Sequence, residues 1–76
     1  MVLAYVLINT KISKEQEVYE KLKEYSHVTD LVPVFGEYDL VAKLETKKST
    51  DIADYVISIR KIPEVTNTKT LFGLKY

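Results

Sequence analysis

Val28-Thr29-Asp30-Leu31-Val32-Pro33-Val34-Phe35-Gly36 is matched later in the chain by Val65-Thr66-Asn67-Thr68-Lys69-Thr70-Leu71-Phe72-Gly73. The spacing is 37 residues, and Val, Thr, Phe and Gly recur at matched places. Asp30 corresponds to Asn67, and Val34 to Leu71. At the same spacing Leu3 meets Leu40, Leu7 meets Leu44, and Ser13 meets Thr50. Both stretches are rich in β-branched residues and read as strands. A repeat of this kind within 76 residues implies two similar halves folded as one unit.

Outward from the repeat, Val2 to Ile8 is apolar at every position. The run is too short for a typical helix and reads as a strand. Alternation sends Leu3, Tyr5 and Leu7 to one face and Val2, Ala4, Val6 and Ile8 to the other. Both faces then need cover, which suits a central strand. Ser13-Lys14-Glu15-Gln16 has the form of a capping box, opening a helix over 14–25 with Val18, Leu22 and Tyr25 inward. The second strand covers 28–35, and Pro33 inside it calls for a sheet edge. Gly36-Glu37-Tyr38 turns into a third strand over 39–45, with Leu40, Ala42 and Leu44 on its apolar face. Ser49 or Thr50 caps a second helix, which Pro63 ends near Ile62. The fourth strand covers 65–74. The order β-α-β-β-α-β, built as two β-α-β halves, predicts a ferredoxin-like α+β sandwich. Its antiparallel sheet has the order 4-1-3-2, with both helices on one face, in one domain over 1–76.

Size then becomes a constraint. The chain weighs 8.8 kDa, and a monomer of that mass buries only about 63% of its unfolded surface. Disulfides are excluded because there is no cysteine, and one histidine cannot build a zinc site. Oligomerisation is the remaining support. With both helices on one face, the opposite sheet face lies open and largely apolar, which marks an interface. The expectation is a two-fold dimer through that face, with Val2, Ala4, Tyr5, Val6 and Ile8 at the contact. Eleven basic residues balance eleven acidic ones, which argues against nucleic acid as the main partner. The N-terminal apolar run is too short to span a bilayer or to serve as a secretory signal, so a cytoplasmic protein is expected. Lys and Glu abound while side-chain amides are confined to Asn9, Gln16 and Asn67, a thermophile-like bias.

Few residues suit catalysis, and no enzyme activity, metal or cofactor is expected. His27 reads as a cation at a helix exit. Gly36 and Gly73 are the only glycines and make no phosphate loop. Leu40 to Leu44 lacks the aromatic pattern of an RNA-binding third strand. Two segments remain. In Gly36-Glu37-Tyr38-Asp39-Leu40, a turn with free N–H groups stands beside a carboxylate. That combination can hold the carboxylate and ammonium of an amino acid, although a turn-stabilising Asp gives the same pattern. In Thr66-Asn67-Thr68-Lys69-Thr70, alternate hydroxyls line one strand face.

On these residues the chain resembles the RAM domain, the effector-binding and oligomerising half of Lrp/AsnC-type transcription regulators. Gly36-x-Tyr38-Asp39-Leu40 is similar to that family's Gly-x-Tyr/Phe-Asp hairpin motif. Ile62-Pro63-Glu64-Val65 with Thr68-x-Thr70 resembles its Ile-Pro-Gly-Val and Thr-x-Thr segment. The resemblance runs along essentially the whole chain. Glu64 stands where the family often has glycine, which bears on the turn into the fourth strand. Such regulators carry an N-terminal helix-turn-helix domain. Here the first strand begins at Val2, so the chain reads as a stand-alone module without direct nucleic-acid contact.

The resemblance implies dimers that assemble into octamer or decamer rings, with an amino-acid effector held at contacts between dimers. It implies a pocket formed by Gly36, Tyr38 and Asp39, with Glu37 and Leu40 beside them and hydroxyls from Thr68 and Thr70. The partners it implies are the effector, further copies of the chain and full-length Lrp/AsnC regulators. Two other readings share the topology. One is a small dimeric α+β barrel enzyme using His27 or Tyr5; the other is a structural oligomerisation module without ligand. An ACT-type domain expects a different ligand loop after its first strand, and Asn9-Thr10-Lys11 has no glycine there.

Overall fold

Nine consecutive residues of mostly β-branched, aromatic and aliphatic character form β1 (Val2–Thr10), and everything else is arranged around it. The computed structural model describes residues 1–74. After β1 come α1 (Glu15–Leu22), β2 (Val28–Pro33), β3 (Leu40–Thr46), α2 (Ser49–Arg60) and β4 (Val65–Phe72). The sheet order is β2-β3-β1-β4, with β1 antiparallel to both neighbours. This is the expected 4-1-3-2 order read from the other edge. Pro33 ends the edge strand β2, where its missing N–H costs no ladder bond.

Register decides which face is which. Ala4, Val6 and Ile8 pair with Leu44, Ala42 and Leu40, so all six share one face. Val18 and Leu22 of α1 and Ile52 and Ile59 of α2 close over them, and these ten side chains are buried together with Ile62. Burial of each large aliphatic contributes about 1.5–3 kcal/mol. The opposite face carries Leu3, Tyr5 and Leu7 from β1, Val41 from β3, Val32 from β2 and Leu71 from β4. Tyr5 is 38% exposed, Val32 44% and Leu71 46%. The chain exposes 5304 Å², against about 4,800 Å² for a compact monomer of its mass.

This placement corrects the interface expected from the sequence. Ala4, Val6 and Ile8 are fully buried beneath the helices and cannot touch a second copy. Val2 pairs with buried Thr46 and packs against the same core. Of the five residues, Tyr5 alone lies on the open face. Alternation separates the two sets but does not say which set the helices cover.

The element ends also differ from expectation. Ser13 sits at φ 65°, in the left-handed region, and makes no cap; Lys14 precedes α1 without a side-chain cap bond. The helix stops at Leu22, so Tyr25 packs on the core from the loop that follows. Neither Ser49 nor Thr50 caps α2, whose preceding residue is Lys48. Thr46 Oγ1 instead donates to the Lys48 carbonyl at 2.8 Å. The two glycines that close the repeat serve different ends. Gly36 needs its φ of 119°, a conformation that disfavours side chains. Gly73 needs its lack of a Cβ, which would sit 2.8 Å from Leu3 Cδ2.

Glu64, at the turn into β4, pairs with Lys21 in the last turn of α1 at 2.8 Å. The hydrogen bond from Lys21 lowers the Glu64 carboxyl below its ordinary value more than partial desolvation raises it. A carboxyl lowered on folding adds stability above its unfolded value, and that stability is lost as pH falls through the folded value. Glu64→Gln is therefore expected to melt slightly lower than the parent at pH 7. The gap should close below about pH 4. A gap that stays constant across a pH series of melting curves would remove the charge from the account.

Candidate functional site

The hairpin between β2 and β3 folds back onto the far end of β1. Gly36 breaks the extended chain, and the Val34 N–H donates to the Asp39 carbonyl at 3.0 Å, closing the loop. The Asp39 N–H in turn donates to the Ile8 carbonyl at 2.9 Å. Two side chains then fasten the loop. Asp39 Oδ2 accepts the Thr10 N–H at 2.8 Å and lies 3.4 Å from Thr10 Oγ1. Asn9 Nδ2 donates to the Glu37 carbonyl at 2.7 Å. Across β1, Asn9 pairs in register with Asn67, whose Nδ2 reaches Asn9 Oδ1 at 3.4 Å. One end of the sheet thus gathers Glu37, Asp39, Asn9, Thr10 and Asn67.

Gly36 and Glu37 are exposed, and Tyr38 and Asp39 are half-buried. Leu40 is 1% exposed and belongs to the core, so it positions the hairpin from below and cannot meet a ligand. Thr68 and Thr70 pair with Ile8 and Val6, which puts them on the helix-side face of β4, half-buried. Thr68 adjoins Asn67 at the gathered end. Thr70 lies two residues further along, about 7 Å away at the rise of a strand, so the structure does not bring it to the hairpin.

Asn9, Thr10 and Asn67 escaped the sequence reading. Two of the chain's three side-chain amides meet across neighbouring strands. That coincidence was the available signal, and it needed the β1–β4 register to be seen.

His27 lies five residues beyond the end of α1 and does not sit on that helix terminus. Its ring packs on Tyr55 with centroids 4.7 Å apart, and its Nδ1 is hydrogen-bonded with the Tyr55 hydroxyl and, at 3.1 Å, with Ser26 Oγ. The Glu45 N–H donates to its carbonyl at 3.2 Å. These contacts tie α2 to the turn before β2. No helix of the described residues is long and apolar enough to cross a membrane.

Comparison with known proteins gives a consistent result. The family model described as the Lrp/AsnC ligand binding domain matches residues 3–76. The HTH-type transcriptional regulator FL11 of Pyrococcus horikoshii is 34% identical over 73 residues, covering 96% of this chain and 48% of the regulator. The chain therefore spans about half the length of the curated relatives it matches. The crystal structure of FFRP-DM1 superposes with a TM-score of 0.93 at 40% identity, covering 97% of this chain and all of that one. The structure of E. coli AsnC superposes at 0.91 over 99% of this chain and 52% of that one. At 23% identity this last likeness concerns the fold alone.

Proposed function

The chain belongs to the Lrp/AsnC ligand-binding domain family, and from that premise we propose that it binds an amino-acid effector at the Gly36–Asp39 hairpin and couples binding to assembly. Its coarse role is that of a regulatory module, like the domain it matches in FL11. The observation that supports the finer reading is the anchored Asp39. A carboxylate has about four acceptor sites, and the two recorded contacts both fall on Oδ2. The Thr10 N–H holds the group in place, which leaves Oδ1 with capacity for an ammonium. Glu37 and Tyr38 offer backbone beside it on a turn whose path is fixed by Gly36 and by the Asn9 bond.

An effector at this hairpin, shared with a neighbouring dimer, stabilises whichever assembly completes its site. Two-fold dimers through the open face, rings of dimers and mixed assemblies with full-length regulators are the states between which it would choose. Any effect on DNA would pass through such partners, since the chain's net charge is zero. The module would act in the cytoplasm and perform no catalysis.

Isothermal titration with each of the twenty amino acids tests the site. Heat is expected from one or a few of them at millimolar concentration or below, and none from the same ligands with Asp39→Ala. Because Asp39→Ala also frees the Thr10 N–H, Asp39→Asn serves as the second variant; it keeps an oxygen for Thr10 and loses the charge. An unresponsive parent protein, or an unchanged response in both variants, would overturn the reading.

A further inference from the structure

The chain holds one arginine, Arg60, among its eleven basic residues. It lies in the last turn of α2, just before the chain turns at Pro63 into β4. A cleft of about 290 Å³ opens there, lined by Arg60, Val65, Thr66, Asn67 and Thr68. Lys14, Lys21, Lys23 and Lys43 each pair with a glutamate of the same chain. Among the described residues Arg60 makes no such pair, and its cleft contains no acid.

The cleft is therefore offered a guanidinium and the hydroxyls of Thr66 and Thr68 beside a single valine, while the Asn67 carboxamide is turned to Asn9 of β1. A guanidinium offers five N–H donors in a planar fork that matches a carboxylate. Each threonine hydroxyl adds a donor. Donors of this number, one of them charged, call for an anion. Ligand sites generally run from about 300 Å³ upward, so the occupant is small.

We propose that this cleft receives the carboxylate of a small organic acid, and that it is separate from the hairpin. The separation follows from the register. Asp39 is held by Thr10, and Thr10 pairs on its other side with Val65. Asp39 and the cleft thus stand on opposite sides of β1, about two strand spacings or ~10 Å apart. An ammonium and a carboxylate on one α-carbon cannot bridge that gap within one chain. The cleft needs only the acid group, so its ligands include acids without an amine.

Acetate isolates that chemistry, because it has nothing to offer Asp39. In nitrogen-edited NMR of the intact protein, acetate should move the amide signals of Thr66, Asn67 and Thr68 and the Arg60 side-chain signal, with saturation in the millimolar range. Glycine should act likewise. Chloride at the same ionic strength should produce no saturable shift. Arg60→Gln changes an exposed helix residue, so the fold should be kept. It should weaken acetate by about tenfold or more, the value of a charged hydrogen bond. Arg60→Lys, which keeps the charge and loses the fork, should fall between. Shifts that grow linearly without saturation would overturn the proposal. So would equal acetate affinity in Arg60→Gln. A third contrary result is a parent protein silent to acetate whose sedimentation changes in Arg60→Gln, because Arg60 would then be engaged by an acid of a second copy.

Discussion

Tyr5→Asp is expected to sediment at the mass of one chain, 8.8 kDa, with its far-ultraviolet circular dichroism unchanged, whereas the parent is expected to sediment as a dimer or a multiple of it. Tyr5 lies mid-strand on the open face, between Lys43 of β3 and Leu71 of β4. In a lone chain the new carboxylate would be solvated and would have the Lys43 ammonium as a cross-strand neighbour, so the fold should tolerate it. Between two sheets it would lose water together with Lys43, and since that ammonium is already its neighbour in the lone chain, no new attraction offsets a desolvation cost of several kcal/mol per ion. A two-fold axis doubles the penalty because each substitution appears twice in the interface. Ile57→Asp is the control: Ile57 is an exposed apolar residue on α2, away from the open face. Sedimentation should not change for Ile57→Asp. An intact dimer in Tyr5→Asp would remove the open face as the contact.

The open face has the composition such a contact requires. Leu3, Tyr5 and Leu7 run down its middle strand, with Val32 and Val41 on one side and Leu71 on the other. Lys43 and Glu45, 3.7 Å apart, stand on the β3 flank, and Lys69 on the β4 flank. An apolar stripe down the middle strand with charges alongside it combines the buried area and the polar contacts that interfaces use.

The topology was legible because several sequence signals agree on it. The repeat between 28–36 and 65–73, the two-faced apolar run of β1 and the edge-seeking Pro33 admit one strand order between them. The direction of the faces was nearly legible. On β3, Leu40, Ala42 and Leu44 alternate with Val41, Lys43 and Glu45, so the charged set must face away from the helices. Carrying that across to β1 required knowing that Ala42 pairs with Val6 and Lys43 with Tyr5. A slip of one residue would exchange the faces. The caps failed for a different reason. Ser13 and Ser49 are good capping residues in isolation, but the chain reaches each helix through a turn whose path is set elsewhere, by Lys11 bonding to the Glu64 carbonyl and by Thr46 bonding to Lys48. At the hairpin, the motif Gly36-x-Tyr38-Asp39 was plain, while its clamps on Asn9 and Thr10 depend on contacts 28 and 29 residues apart in sequence.

Val6→Asp separates the two faces most sharply. By alternation alone Val6 and Tyr5 are equal candidates for the dimer contact, and the same substitution at either would seem to test it. In the fold Val6 is fully buried, paired with Ala42 on one side and Thr70 on the other, under both helices. A carboxylate there has no cation among its cross-strand neighbours and no water. The cost is several kcal/mol, against about 3–5 kcal/mol of net stability available to a core of this size. Val6→Asp is therefore expected to be unfolded at neutral pH, with lost helical signal and no cooperative melt, rather than a folded monomer. Burial raises the value at which the introduced carboxyl takes its proton in the folded state above the value in the unfolded chain. The folded form then binds more protons, so the deficit should shrink as pH falls toward that range. A folded, monomeric Val6→Asp at pH 7 would mean that the helices leave this face open, and the assignment of core and interface would have to be exchanged.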